Sequence, residues 1–331
     1  RKRGIMFNKY LNKIFVGIFI LALHVTPYTL HVCYASYEDI GCGARPLGIG
    51  NAFCAIADDA NAFLYNPAGL PQLKKLQVSA MYANLYPLLS DRSIISNNYL
   101  AVAYPMKQAA IGVAWFSLGA VSDPERSKAQ YQENTYLLTY ARQMERFYIG
   151  FSARFHSKEY GVNDWTAVNP VFTRKKTAFG VGIDAAMLYR TEDNLFKFGL
   201  LVADINQPDL GIASPSPVPM SARAGIAYEF EPVWVFNDLT GAVDVTYRDN
   251  DVKAQGGIEG WFIERTVAVR IGGGFGSNSY GLISMGASYQ LTEEQYNNDF
   301  RIDYAFSCPL GGLQPTGGTH RISLTMGFDV K

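Results

Sequence analysis

From Leu76 onward, apolar and polar residues alternate with period two. In HRISLTMGFDVK, Ile322, Leu324, Met326, Phe328 and Val330 fall on one face, with Arg321, Ser323, Thr325, Asp329 and Lys331 opposite. RFYIGFSARF sets Phe147, Ile149, Phe151 and Phe155 against Tyr148, Gly150, Ser152 and Arg154, and DFRIDYAFSC and FGVGIDAAMLYR repeat the pattern. Alternation of this kind marks a sheet with one greasy and one polar face. The runs are about twice the five or six residues usual in soluble sheets, and match the length that crosses a bilayer at a tilt. A sheet in lipid must close, because lipid satisfies no backbone edge. The pattern therefore predicts an all-β fold: a transmembrane antiparallel β-barrel with an oily exterior and a polar lumen.

Fourteen runs are predicted, starting near Leu76, Asn98, Ala109, Asn134, Arg146, Lys176, Leu195, Met220, Asn237, Lys253, Thr266, Gly281, Asp299 and Thr319. Pro87, Pro105, Pro124, Pro170, Pro208, Pro232, Pro309 and Pro315 all fall at run ends or in connections, as a residue without a backbone N–H requires. Short links such as Met106–Gln108 and Glu264–Thr266 alternate with longer ones such as Gly119–Gln132 and Asn206–Pro219. That asymmetry distinguishes periplasmic turns from outer loops and sets both chain ends on the periplasmic side.

Two segments break the alternation. Residues 1–35 carry a basic stretch, the apolar core Ile14–Leu23 and small residues at Ala35, and read as an export signal peptide. Residues 36–74 fit no spanning strand. Within them ADDANAFLYNPAGL (Ala57–Leu70) predicts a short helix, capped by Asp58, Asp59 or Asn61 and ended at Pro67 and Gly69. A barrel of this size has a lumen too wide for its own side chains to fill. The segment is therefore expected to fold back as a hatch, leaving 75–331 for the barrel.

Charge narrows the functional classes. Lys plus Arg and Asp plus Glu each number 29, so the footprint of a nucleic-acid partner is missing. Only four histidines and four cysteines are present, with no metal-ligand spacing, so neither a metal, a cofactor nor an enzyme is expected. Cys42 and Cys54 are candidates for a disulfide in an oxidising compartment. The lumen face carries mixed charges, Arg154, Arg190, Arg223, Arg270, Arg301 and Arg321 with Asp184, Asp244, Glu229, Glu259 and Asp303. They read as a self-neutralised lining. A sharper reading makes one arginine, with Arg154, Arg223 and Arg270 as candidates, a clamp for a fatty-acid carboxylate.

GARPLGIGNAFCAIADDANAFLYNPAGL (Gly43–Leu70) resembles the N-terminal signature of the FadL-type outer-membrane transporters, and still more their PorV-like and spirochaete-type relatives. GGIEGWFIERTVAVRIGGG (Gly256–Gly274) and THRISLTMGF (Thr319–Phe328) resemble the C-terminal half of those relatives. The resemblance implies a fourteen-stranded barrel with an N-terminal hatch, and passive uptake of hydrophobic compounds such as long-chain fatty acids with lateral exit at a kinked third strand. It implies that Asn66, Pro67, Ala68 and Gly69 hold the hatch to the wall, although the motif also reads as a plain turn. It makes Gly112, in the third run, the candidate lateral gate, or else a packing residue. The PorV-like relatives imply a second function, docking a secreted protein partner. Hydrophobic small molecules and outer-membrane lipid are the other expected partners.

Overall fold

The computed structural model describes residues 37, 39–90, 92–122, 129–161, 164–171, 176–233, 235–293, 297–311 and 317–329. The signal-peptide reading, on residues 1–35, lies outside the described residues. Fourteen strands run in order: β1 Leu76–Leu85, β2 Ile94–Met106, β3 Ala109–Ser122, β4 Ala129–Met144, β5 Phe147–Tyr160, β6 Thr177–Arg190 and β7 Phe196–Ala203. They continue as β8 Ser221–Phe230, β9 Asp238–Arg248, β10 Asp251–Phe262, β11 Val267–Gly276, β12 Gly281–Glu293, β13 Asn298–Pro309 and β14 Thr319–Phe328. Each pairs antiparallel with its sequence neighbours, and β1 zips to β14 from Leu76↔Phe328 to Asn84↔His320, closing the barrel.

The period-two pattern decides the faces. In β14, Arg321, Ser323 and Thr325 are buried while Ile322 and Leu324 are exposed. The same inversion holds for Phe179, Val181 and Ile183 on β6 against buried Asp184. A polar inside and an oily outside put the apolar side chains in lipid. Where the lipid ends, the alternation fades although the ladder continues. β4 accordingly begins before its expected start near Asn134: Tyr131, Gln132 and Glu133 still pair with Tyr160, Glu159 and Lys158 of β5. The β9–β10 connection is the tight turn at Asp249 and Asn250, both with positive φ, as a two-residue hairpin demands.

From Asp39 to β1 the chain lies inside the lumen. It forms α1 (Ala44–Gly48), α2 (Ala62–Tyr65) and a 3₁₀ turn, Pro67–Gln72. The helix expected from Asp58 is limited to α2. The Asp59 carboxylate accepts from the Asn61 N–H at 2.9 Å and its side chain at 2.8 Å, which bends the chain before α2 instead of extending the helix. Asn66 precedes a proline and is driven to an extended conformation, φ −169°, ending α2. Its side chain accepts from Ala68 N at 3.1 Å, with Pro67 opening the 3₁₀ turn.

Candidate functional site: the hatch and its seat in the lumen

Arg45 is the one charged residue between Gly41 and Ala57. From α1 it forks onto Glu259 of β10, at 2.8 Å from Nε and 2.7 Å from Nη2. Its Nη1 reaches Asp58 at 2.5 Å and Asp59 at 2.9 Å. Asp59 also takes Arg301 of β13 at 2.6 Å, and Arg301 binds Asp303 at 2.9 Å. Arg270 of β11 lies 2.5 Å from Glu259 and 3.6 Å from Asp303, which closes the ring. Three arginines thus alternate with the three carboxylates of Asp59, Glu259 and Asp303, with Asp58 attached to Arg45 from outside the ring, linking hatch to wall by charge-assisted bonds. Burial opposes ionisation of Asp59, but Arg301 and Arg45 beside it hold its carboxyl well below the usual range. Burial likewise works against the Arg45 charge, and Asp58, Glu259 and Asp59 overcome it.

A second set of bonds uses the hatch backbone. Asp244 Oδ2 accepts from Phe53 N at 3.0 Å and Cys54 N at 2.9 Å. Ala44 N donates to Ser323 at 2.8 Å, and Arg321 donates to the carbonyls of Ile40 and Gly41, each at 2.7 Å. Wall glycines then let the two backbones touch. A Cβ on Gly257 would lie 2.6 Å from Ile49 O, and one on Gly150 would lie 2.6 Å from Ala68 N. Side chains at those positions would push the hatch off its seat.

The residues singled out in the sequence take these places. Asn66 donates from Nδ2 to Cys54 O at 2.8 Å and to Met187 O of β6 at 3.0 Å, while Pro67 and Ala68 rest on Gly150 and Gly69 rests on Ala57. The candidate clamp arginines each hold a carboxylate of the chain itself: Arg154 with Asp184 at 2.5 Å, Arg223 with Asp39, and Arg270 with Glu259. They form the self-neutralised lining, not a vacant clamp. Cys42 and Cys54 are free thiols, so the disulfide is not formed. Cys54 turns its sulfur to the wall, 3.8 Å from Arg223 O, while the Cys42 backbone is held by the Tyr65 hydroxyl. Burial pushes both thiols above their ordinary range.

Gly112 interrupts nothing. It pairs with Ala103 of β2 and Thr139 of β4 within unbroken ladders, and its missing Cβ leaves room for the tip of Phe63 in α2. At the position expected for a gate, Phe63 of the hatch packs against the strand. Sequence reading missed Arg45 as the centre of the ionic ring. The available signal was a lone charge in an apolar stretch.

Above the hatch, toward the outer loops, a cavity of about 80 Å³ is lined by Tyr37, Tyr65, Phe116, His156, Arg154 and Arg223. Ligand pockets for drug-sized molecules run from about 300 Å³ upward. Among the described residues the enclosed space there suits a few waters.

Comparison with known proteins follows the same lines. Residues 59–326 match the family described as type IX secretion system membrane protein PorP/SprF. No curated protein sequence matches the chain. Among solved structures, the CymD monoaromatic hydrocarbon channel is similar at TM-score 0.63 and 14% identity, covering 89% of this chain and 99% of that one. The Ralstonia pickettii toluene transporter TbuX is similar at 0.60 and 12%, covering 88% and 99%. The Pseudomonas putida toluene transporter TodX is similar at 0.53 and 10%, covering 86% and 97%. At such identities the likeness is one of fold alone, a closed β-barrel.

Proposed function

The chain belongs to the PorP/SprF family of type IX secretion system membrane proteins, and from that premise we propose that it is a docking component of secretion, a plugged barrel whose working surface is its outside. The observation that carries this reading is the filled lumen. Hatch residues such as Phe53, Ala60, Phe63 and Ala68 have no solvent exposure, and the ionic ring joins hatch and wall through buried charges. Breaking one buried pair by removing a partner costs about 3–5 kcal/mol, so moving the whole hatch per passage event would be slow. A barrel closed in this way serves as a membrane-fixed anchor for other proteins.

Passive uptake of hydrophobic small molecules, fatty acids included, is the second reading. It is supported by the fold shared with hydrocarbon channels and by the aromatic residues Tyr37, Tyr65 and Phe116 in the outer cavity. Native mass spectrometry of the protein extracted in mild detergent separates the two. Docking predicts retention of a second protein of the secretion system and no stoichiometric acyl ligand. A fatty acid or hydrocarbon bound one to one, with no protein retained, overturns it in favour of uptake.

A further inference from the structure

β6 has fourteen residues and β7 eight, and their ladder runs only from Arg190↔Lys197 to Ala185↔Val202. The outer part of β6, beginning at Thr177, is therefore bordered by β5 on one side and, among the described residues, by no strand on the other. Antiparallel pairing points alternate residues toward opposite neighbours. Arg190 N donates to Arg146 O and Tyr160 N to Lys176 O, which assigns the even residues of β6 to the β5 side. The odd residues, Thr177, Phe179, Val181 and Ile183, hence turn their backbone groups to the free side.

The chain after β7 closes only the lower part of this edge. Ile205 N donates to Ile183 O at 2.9 Å. The Asn206 side chain imitates a strand, accepting from Ile183 N at 2.9 Å and donating to Val181 O at 2.8 Å. Beyond that the chain leaves the wall. Asp204 and Gln207 take positive φ, and the Asp204 carboxylate is drawn inward to His156 at 2.8 Å. Pro208 and Leu210 then pack on the inner face of β6, filling the space a Gly180 side chain would take. Among the described residues, the N–H of Val181 and both backbone groups of Phe179 meet no partner on this side. Phe179 is exposed and stacks on Phe155 of β5, its ring centroid 6.4 Å away.

An open sheet edge is a template for another strand. We propose that the outer edge of β6, Thr177 to Val181, receives an extended segment of a secreted protein by main-chain pairing. The inference rests on the docking reading and adds its location. The incoming strand lies in the wall position that β7 vacates, with apolar residues beside Phe179 and Val181 and small residues facing Pro208 and Leu210. It adds no side-chain pocket of its own, so the recognition is of backbone and alternation, suited to more than one cargo sequence.

The test uses the full-length protein in cells that secrete through this system. V181P removes an N–H that no strand of the barrel uses, whereas V181T keeps it. Folding of each variant is read from the resistance of the barrel to cold detergent on electrophoresis. V181P should cut the amount of secreted protein by about tenfold or more, with V181T near wild type. Normal secretion by V181P overturns the proposal, and so does equal loss in V181T, which would mean a side-chain contact. Should V181P fail to fold, a benzophenone side chain at position 179 replaces it. Adducts with an exported protein support the edge, and adducts with lipid alone overturn it. Deleting the whole chain is the separate arm: unchanged secretion on deletion overturns the docking reading itself.

Discussion

Arg45 shows how much rests on a single residue. It is buried with Asp59 and Glu259, and each of those carboxylates has a second arginine, Arg301 and Arg270. R45M should loosen the seated hatch by about 3–5 kcal/mol, read as protease cleavage between Gly41 and Leu73 under conditions that leave the wild type intact. Acid should act through Asp59. Its folded carboxyl is held below the ordinary value, so its stabilisation is fully present above the unfolded value of about 3.9 and is lost as pH falls below that toward the depressed one. Protease resistance of the hatch should thus persist at mildly acidic pH and decline only in strong acid, with a flatter profile for D59N. Backbone contact gives a third comparison. G257A sets a methyl 2.6 Å from both the Ile49 carbonyl of the hatch and the Ile271 carbonyl of β11 and should destabilise the seated hatch and its wall by about 1–3 kcal/mol, whereas G241A meets only the Phe230 ring edge, at 3.3 Å, and should be tolerated. At this scale the sequence was least legible. Arg45 and Glu259 are 214 residues apart, and no local pattern announces which of several lumen charges will meet a hatch charge.

The strands were legible because one face of each is dissolved in lipid, which enforces period two over the whole crossing. All fourteen were recoverable, with starts at Leu76, Ala109, Gly281 and Thr319 read to the residue. Ends were less clear at the outer rim, where Gln132 and Glu133 continue a ladder that lipid no longer patterns. Gly112 marks a different limit: a glycine in a strand shows that something approaches closely, not what. Here two groups do: a Cβ on Gly112 would lie 2.4 Å from the Val102 carbonyl of β2 and 2.5 Å from the tip of the Phe63 ring. G112A should therefore raise protease access to the hatch and also speed amide exchange in β2 and β3 around Val102 and Gly112. Fast exchange confined to the β2–β3 ladder in the unaltered protein would restore a gate at that seam. The free edge of β6 was illegible for a related reason, since Thr177–Asp184 alternates like any paired strand. The absence of its neighbour is visible only in the register.

For the whole molecule, the filled lumen predicts electrical silence. Planar bilayers containing the intact protein should show no steady conductance, and R45M combined with E259Q should introduce flickering leaks as the hatch leaves its seat. Steady channels in the unaltered protein would contradict the closed state. The ionic ring also has a temporal meaning. Ala44, Arg45 and Asp59 are made before their partners Ser323, Glu259 and Arg301. A stopper that touches its housing on all sides cannot be pushed in once the housing is sealed. The β1–β14 seam must then be the final stitch of biogenesis, drawn shut around an N-terminal stretch already lodged within, and a chain whose hatch is slow to settle will wait at the insertion machinery with that seam undone.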